Sequence, residues 1–214
     1  MTRSTNLPEL IAATRDLLRE SPSRVLLGIT GPPGTGKSTV ASAIAEAFGP
    51  ATAVVVPMDG FHLTRAQIMG TPLLARRGAP DTFDADAFAA ALHRIRYTTD
   101  EDVSVPAFDH VVGDPIPDAI TVPAGLPLVV VEGNYLLHPE PGWGAARAQL
   151  DAVWYFDTPA EVRRARLEAR HRQAGRSPED AARFVEESDE RNAALIARTA
   201  SAADAVFALH DVLT

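Results

Sequence analysis

The sequence predicts an α/β fold with three layers, in which helices cover both faces of one parallel β-sheet. Short apolar runs alternate along the chain with segments that carry the 3.6-residue spacing of helices, which is the pattern of βαβ units. Two of these runs, residues 25–30 and 128–131, are apolar almost throughout, as expected of strands buried on both faces. The length of 214 residues, with 46% hydrophobic and 22% charged residues, fits a single globular domain.

The composition excludes several classes of protein. The formal net charge of −8 argues against a broad nucleic-acid-binding surface, because phosphate backbones require clustered Lys and Arg. The chain has no Cys, which excludes a disulfide scaffold and a cysteine zinc site. No apolar run approaches the roughly 20 residues that span a bilayer, and residues 1–22 have the spacing of an N-terminal helix rather than the apolar block of a signal peptide. We therefore expect a cytoplasmic protein without nucleic-acid or membrane partners.

Strands and helices follow one another along the chain, and Gly or Pro separates most of them. Strands are predicted where short runs are apolar, at residues 25–30, 53–56, 128–131, 152–156 and 205–209. Helices are predicted where apolar residues recur at helical spacing, or where Pro starts and Gly ends a segment, at residues 39–48, 85–97, 161–174 and 178–198. Asp84 is placed to cap the second of these helices, and Gly49 and Gly175 end the first and the third.

Two longer segments lack regular spacing. Residues 61–84 contain several Gly and Pro and are predicted to be mostly loop. Residues 103–108 alternate weakly, and residues 113–127 are rich in Pro and are predicted to be irregular, with at most a short strand at 119–122. We interpret the Pro-rich stretch 106–127 as an insertion within a single domain of residues 1–214.

The turn Gly31-Pro-Pro-Gly-Thr-Gly-Lys-Ser38 matches the phosphate-binding pattern G-x-x-x-x-G-K-[ST] in full, between a predicted strand and a predicted helix. In such a P-loop, backbone N–H groups and the helix N-terminus converge on phosphate, the Lys reaches the β- and γ-phosphates, and the Ser hydroxyl binds Mg²⁺. The alternative is a plain glycine turn. We predict an ATP-binding loop of a P-loop NTPase fold, with ATP and Mg²⁺ as cofactors, made of Gly31, Pro32, Pro33, Gly34, Thr35, Gly36, Lys37, Ser38 and Thr39.

Two acids follow predicted strands at the edge of the sheet where ligands bind, Asp59 and Glu132. Phosphoryl transfer to an alcohol needs one carboxylate that accepts the hydroxyl proton and another that holds Mg²⁺ or its water. Each acid also has a simpler interpretation, Asp59 as a turn residue and Glu132 as an exposed charge at a strand end. If Asp59 is not the base, Glu132 or Asp109 is the next candidate.

Five segments of the chain occur in an order that is typical of one kinase family, at residues 56–62, 77–84, 105–110, 114–117 and 131–134. On these segments the chain resembles the phosphoribulokinase, uridine kinase and bacterial pantothenate kinase family, and most of all its sugar-kinase-like branch, the fructose transport system kinases. The resemblance extends from about residue 24 to 209. It implies an ATP-dependent phosphotransferase that acts on an alcohol group of a small-molecule acceptor.

The resemblance also implies roles for single residues. Asp59 is the expected catalytic base beside Lys37, and Glu132 is the expected metal-side carboxylate beside Ser38. Arg77, Asp84, Phe108 and His110 are expected at the acceptor, in loops at about 61–84 and 106–127. The sugar-kinase-like branch is expected to carry Arg where His110 stands, which leaves the acceptor open. Taken alone, Arg77 and His110 could equally be surface residues.

Arginines crowd the predicted helix 161–174. The resemblance implies a lid at about residues 163–178 that closes over the triphosphate, with Gly175 as hinge and Arg170 stabilising the transferring phosphoryl group. We interpret Arg163 and Arg164 as a solvated face. Asn192 on the next helix is expected to contact a substrate, with a surface position as the alternative.

The sequence therefore predicts an ATP-dependent kinase that transfers the γ-phosphoryl group to a hydroxyl of a small metabolite, a sugar or related alcohol. A nucleoside and pantothenate are the alternative acceptors. A different class of function is an ATP-binding regulatory or assembly module that hydrolyses ATP slowly and has no acceptor. A homodimer is compatible with either assignment.

Overall fold

The structure is a computed structural model and describes residues 2–208 of the 214-residue chain. Its strands are β1 (Thr2–Ser4), β2 (Val25–Thr30), β3 (Ala53–Pro57), β4 (Val103–Asp109), β5 (Asp114–Val122), β6 (Leu128–Glu132), β7 (Ala152–Asp157) and β8 (Ala205–Ala208). Six of them form one parallel sheet in the order β1-β8-β7-β2-β6-β3, while β4 and β5 pair as an antiparallel hairpin. The last predicted strand is confirmed as far as Ala208, and Leu209 lies outside the described residues.

Helices lie on both faces of the sheet, so the predicted three-layer α/β fold is confirmed. They are α1 (Leu7–Glu20), α2 (Lys37–Phe48), α3 (Arg65–Ile68), α4 (Ala85–Tyr97), α5 (Pro141–Arg147), α6 (Ala160–Gln173), α7 (Pro178–Phe184) and α8 (Glu190–Ala197). A π-helical turn at Val185–Asp189 joins α7 to α8, so the predicted helix 178–198 exists but is interrupted by a wider turn. None of the helices within residues 2–208 is both long and apolar enough to cross a bilayer.

The sheet separates two hydrophobic clusters, because successive side chains of a strand point to opposite faces. Leu27 of β2 packs in a cluster with residues of α1 and α2, including Leu10 and Ile44. Its neighbour Leu26 packs in the other cluster, with residues of α4, α5 and α8 that include Phe88 and Trp143. Burial on both faces explains why β2 and β6 read as continuous apolar runs.

The parallel register brings the carboxyl ends of three central strands to one level. Glu132 at the end of β6 pairs with Ile29 of β2 and with Pro57 of β3. The phosphate-binding turn begins one residue after β2, and Asp59 stands two residues after Pro57 in a short 3₁₀ turn, Met58–Phe61. The fold therefore places the turn, Asp59 and Glu132 at one edge of the sheet, where open α/β sheets bind ligands.

The structure of the Pro-rich stretch differs from the prediction. Residues 113–127 are predicted to be irregular apart from a short strand at 119–122, but β5 runs for nine residues, Asp114–Val122, and pairs with β4. Proline lacks an N–H and weakens the strand signal, yet it is tolerated on a strand that has one neighbour and at an irregular register. β5 pairs only with β4 among the described strands, and the register shifts between Val105 and Ala107, on either side of Pro106.

The N-terminal segment and α5 also differ from expectation. The helix expected over residues 1–22 begins only at Leu7, where Asn6 caps it by accepting a 3.0 Å hydrogen bond from the Glu9 N–H, and Thr2–Ser4 pair with β8 instead. Met1 lies outside the described residues. α5 was not predicted, because its sequence contains Pro141, Gly142 and Gly144, which are poor helix formers.

Candidate active site

The phosphate-binding turn connects β2 to α2 in the geometry that the motif requires. Gly36 is the N-cap of α2 with φ of 99°, a left-handed conformation that a residue with a Cβ rarely adopts. Gly34 also has a positive φ of 77°, and a Cβ there would stand 2.7 Å from the Arg163 carbonyl oxygen. The left-handed conformation of both glycines and the close approach of Gly34 to α6 therefore explain why this turn requires glycine at these two positions.

Hydrogen bonds inside the turn hold its shape. The Thr35 hydroxyl donates to the Pro32 carbonyl at 2.6 Å, and the Lys37 ammonium group donates to the same carbonyl at 3.0 Å. Thr158, just after β7, donates to the Thr35 carbonyl at 3.3 Å. These bonds are made within the protein and fix the path of the turn between β2 and α2.

A cleft of about 350 Å³ opens over this turn. Its wall combines residues from the turn, from the ends of β3 and β6, and from α6: Pro33, Gly34, Gly36, Lys37, Ser38, Thr39, Asp59, Glu132, Gly133, Asn134, Arg166, Leu167 and Arg170. The structure therefore brings together the predicted base Asp59, the predicted metal-side residues Ser38 and Glu132, and the predicted cations Lys37 and Arg170. Gly31, Pro32 and Thr35 lie behind this wall, within the turn.

Burial and neighbouring charges shift the two central ionisable groups of the cleft. Burial lowers the pKa of Lys37 to about 8, although the carboxylates of Glu132 and Asp59 oppose the shift. Burial raises the pKa of Glu132 to about 7; Asp59 adds to the rise, while Lys37 and a hydrogen bond with Ser38 counteract it. Both shifts follow from removing a charged group from water, and shifts of this kind concentrate at functional sites.

The oxygen donors in the cleft suit Mg²⁺. The Ser38 hydroxyl and the Glu132 carboxyl are hard oxygen ligands, and they lie together beside Lys37. Mg²⁺ in phosphotransferases is held by one or two protein oxygens together with phosphate oxygens and water. Within residues 2–208 no group of three or more His, Asp or Glu is arranged to hold a metal by itself. The donors present fit a nucleotide-bound Mg²⁺.

The arginines of α6 divide into three kinds. Arg166 and Arg170 face the cleft, and Arg166 donates to the carbonyls of Gly34 and Thr35 at 3.4 and 3.3 Å. Arg163 is 6% exposed, so the prediction that it lies on a solvated face is wrong. Its guanidinium donates to the Pro33 carbonyl at 3.3 Å and to Glu190 at 2.9 Å, which explains how a charged group is buried here. Arg164 is exposed, as expected.

The residues predicted at the acceptor lie beside the cleft and do not line it. Arg77 joins the loop 61–84 to the hairpin: it donates to the Gly113 carbonyl at 2.6 Å and to the Asp114 carboxylate at 2.8 Å. Its guanidinium also lies 5.5 Å from the Phe108 ring centroid. Asp109 accepts hydrogen bonds from the N–H groups of residues 111 and 112 in the hairpin turn, and it does not line the cleft with Asp59.

His62 links Asp59 to the aromatic side chains of this region, and the sequence analysis did not single it out. Its Nδ1 lies 2.8 Å from the Asp59 carbonyl oxygen, which can only accept, so Nδ1 carries the proton. The ring packs 3.9 Å from Phe83 and 4.7 Å from Phe108, measured between centroids. Burial lowers the pKa of His62, and Asp59 opposes this shift. His110 is exposed and packs against Phe108 at 5.2 Å.

Asp84 and Asn192 each have a partner within the protein. The Asp84 carboxylate caps α4 by accepting from the Ala87 N–H at 2.8 Å, as expected of a cap. It lines a separate depression beside Trp143, not the cleft over the phosphate-binding turn. Asn192 donates through Nδ2 to the Gly78 carbonyl at 3.3 Å. Contact of either residue with an acceptor stays a prediction.

Four residues of the cleft wall were not assigned a role from the sequence: Gly133, Asn134, Arg166 and Leu167. The first two belong to a segment that was singled out as part of the resemblance, residues 131–134, so their place directly after Glu132 is the signal that could have found them. Leu167 is a buried apolar residue of α6, and nothing in the sequence distinguishes it from other core residues.

A family model and a similar protein both indicate the same kinase family for this chain. The model of the phosphoribulokinase and uridine kinase family matches residues 26–213. A protein of Schizosaccharomyces pombe, named as a candidate uridine kinase, is 38% identical over 175 residues, which cover 78% of this chain and 74% of that protein.

Solved structures agree with this match. The crystal structure of a candidate fructose transport system kinase from Silicibacter sp. TM1040 superimposes with a TM-score of 0.84 at 33% identity, covering 95% of this chain and 99% of that one. The structure of the P-loop kinase YFH7 from Saccharomyces cerevisiae superimposes with a TM-score of 0.80 over 95% of this chain and 98% of that one. At 20% identity the second likeness shows the fold alone.

Proposed function

The chain belongs to the phosphoribulokinase and uridine kinase family, and from this premise we propose that it transfers the γ-phosphoryl group of ATP to a hydroxyl of a small metabolite, a sugar or related alcohol. One observation carries the proposal: Asp59, Lys37 and Glu132 line a single cleft over the phosphate-binding turn. A turn that only bound nucleotide would not need a second carboxylate facing the bound phosphates.

The turn and α2 hold the nucleotide. Backbone N–H groups after Gly34 and Gly36, and the N-terminus of α2, attract phosphate oxygens. Lys37 exchanges its bond to the Pro32 carbonyl for phosphate oxygens, whose negative charge stabilises the ammonium form in a buried place. When Mg²⁺ is bound, Ser38 and Glu132 hold it and it neutralises charge on the phosphates.

Asp59 is the general base. It stands on the 3₁₀ turn after β3 and lines the cleft together with the N-terminal residues of α2, and His62 binds its backbone carbonyl. Its carboxylate accepts the proton of the acceptor hydroxyl as the oxygen attacks the γ-phosphorus. Arg166 and Arg170 of α6 line the same cleft and supply positive charge that can stabilise negative charge on the transferring group.

Two observations support the proposed acceptor class: the names of similar proteins and the side chains near Asp59. The structure at 33% identity is named for a fructose transport system and the relative at 38% identity for uridine, and both of these compounds carry hydroxyls on a sugar ring. The rings of His62, Phe83 and Phe108 form a packed aromatic group next to Asp59. These rings and the polar groups around Asp59 give the mixed apolar and polar surroundings that are typical of small-molecule sites.

A metabolite panel tests the proposal. The protein is incubated with ATP, Mg²⁺ and hexoses, pentoses, polyols, sugar acids, nucleosides or pantothenate, and ADP release is followed for each. We expect one chemical class to raise ADP release at least about tenfold above the acceptor-free rate, and a phosphorylated product to be found by mass spectrometry. ADP release that no acceptor stimulates would contradict the proposal and favour a regulatory module. Lys37→Ala is the control for contaminating kinases.

A further inference from the structure

Helix α8 contacts both of the loops that border the cleft. Glu190 in its first turn is joined to the phosphate-binding turn through Arg163. Asn192, two residues later, is bonded to Gly78 in the loop 61–84. The first three residues of α8, Glu190 to Asn192, thus carry the contacts to the nucleotide side and to the predicted acceptor side of the site.

The nucleotide-side contact is buried and charged. Nη1 of Arg163 lies 2.9 Å from Glu190 and 3.3 Å from the Pro33 carbonyl. The Arg163 side chain is 8% exposed and that of Glu190 is 18% exposed. A charge-assisted bond at low exposure is strong and directional. A shift of the turn at Pro33 therefore acts on Glu190 through Arg163.

The acceptor-side contact converges on one carbonyl oxygen. The Gly78 carbonyl accepts from Asn192 Nδ2 at 3.3 Å and from the Tyr135 hydroxyl at 2.6 Å. Gly78 directly follows Arg77, and its N–H donates to the Thr82 hydroxyl at 2.9 Å. Tyr135 lies shortly after the end of β6, so its hydrogen bond does not involve α8. The hydrogen bond from Asn192 connects α8 to this loop.

The start of α8 is held firmly against α6. In the π-helical turn that precedes α8, Asp189 lies 2.8 Å from Nε2 of His171 on α6. Arg164 reaches the second carboxylate oxygen of Glu190 at 3.1 Å. π-turns occur frequently at functional sites. Asp189 ends this turn and Glu190 begins α8, and both acids bind residues of α6.

We propose that α8 couples the two loops, so that nucleotide binding at the phosphate-binding turn orders the loop at Gly78 through Arg163, Glu190 and Asn192. Asn192 is then a positioning residue that acts on the acceptor loop through the Gly78 carbonyl. The inference rests on the proposed function in one respect, that nucleotide binds at the turn and the acceptor beside Gly78. Coupling between two sites through a shared element is typically worth about 5- to 150-fold in affinity or protection.

Hydrogen exchange with a nucleotide analogue tests the coupling without knowledge of the acceptor. Exchange of backbone amides at residues 76–84 is measured with and without AMP-PNP and Mg²⁺, and the affinity for AMP-PNP is measured separately by calorimetry. We expect the analogue to slow exchange of these amides about fivefold or more in the wild type. In Asn192→Asp, which keeps the shape but removes the amide donor, the slowing should fall below about twofold while the AMP-PNP affinity stays within about threefold. Ala194→Asp, which adds the same charge at an exposed position of α8, is the matched control and should behave as wild type.

The ratio of bound to free exchange separates coupling from a merely structural bond. If Asn192 were only structural, Asn192→Asp would speed exchange equally in both states and leave the ratio unchanged, which would overturn the inference. The inference would also be overturned if the wild type binds AMP-PNP and residues 76–84 exchange at an unchanged rate. Failure of the wild type to bind AMP-PNP at all would overturn the proposed function together with this inference.

Discussion

Glu132 and Lys37 lie in one cleft with pKa values that burial moves toward each other, to about 7 for the carboxyl and about 8 for the ammonium group. Each group is the partner that limits the shift of the other. Because both charges are removed from water, the cleft is electrostatically costly without a ligand and becomes favourable when phosphates and Mg²⁺ add charge to pair with.

The phosphate-binding role of Lys37 makes a first prediction. Lys37→Ala should lower phosphoryl transfer by at least about 10²-fold and weaken ATP binding, because the chain has no second lysine that could reach the phosphates. Lys37→Arg should also fail, since a planar guanidinium does not replace a compact ammonium group in a buried place. ATP titration and steady-state kinetics measure both effects. Near-normal turnover in either variant would be incompatible with the assigned role.

The raised pKa of Glu132 predicts a pH-dependent stability. Between the ordinary value of 4.5 and about 7, the folded protein holds a proton that the unfolded chain has lost, so stability falls as pH rises through this window. The lowered pKa of Lys37 has the opposite effect at higher pH. Between pH of about 8 and the ordinary pKa of 10.5, the unfolded chain holds a proton that the folded protein has lost, so stability rises with pH. Glu132→Gln should therefore gain about 2 to 3 kcal/mol relative to wild type between pH 5 and pH 8 in urea unfolding of the ligand-free protein. Glu46→Gln, at an exposed position, is the control, and parallel pH profiles for Glu132→Gln and wild type would contradict the prediction.

Two adjacent arginines of α6 should differ sharply in their effect on folding. Arg163→Ala removes a buried guanidinium from Glu190 and Pro33 and should cost about 3 kcal/mol of unfolding free energy. Arg164→Ala removes a side chain that is 53% exposed and should cost less than about 1 kcal/mol. Urea unfolding of the two variants side by side checks this. Equal losses would mean that Arg163 is no more buried than its neighbour.

Asp84 allows its two assigned roles to be separated. Asp84→Ala should cost about 1 kcal/mol because it removes the cap of α4, whereas Asp84→Asn should keep the cap and the stability. If Asp84 also contacts the acceptor through its charge, Asp84→Asn raises the acceptor KM at unchanged stability. An unchanged KM in Asp84→Asn would leave the cap as its role and remove Asp84 from the acceptor site.

The positions of the phosphate-binding turn, Asp59 and Glu132 in the fold could be predicted because their sequence signals are local. The pattern from Gly31 to Ser38 fixes a turn between a strand and a helix, and apolar runs place Asp59 and Glu132 after buried strands. The parallel register then brings these three positions to one level, as the rule for open sheets requires.

The remainder depended on tertiary contacts that no spacing reveals. Arg163 is one of several arginines on a polar helix, and only its partners Glu190 and Pro33 make its burial possible. The part of β5 before residue 119 was missed because its prolines suit an edge strand, and edge position is not visible in the sequence. Arg77 was expected at the acceptor, but its bonds to Gly113 and Asp114 arise from a hairpin whose docking local patterns do not encode.

The central claim is that Asp59 performs chemistry while Lys37, Ser38 and the turn hold the nucleotide. The decisive measurement is the steady-state kinetics of Asp59→Asn on the best acceptor from the panel, beside an ATP titration of the free variant. The amide has nearly the same shape but cannot accept the hydroxyl proton, so kcat should fall by about 10² to 10⁴ while the acceptor KM changes less. The Kd for ATP should stay within about threefold of wild type, because hydrogen bonds from the turn remain. If turnover survived and ATP binding collapsed, Asp59 would belong to the metal side and Glu132 would be the base, which would contradict this account.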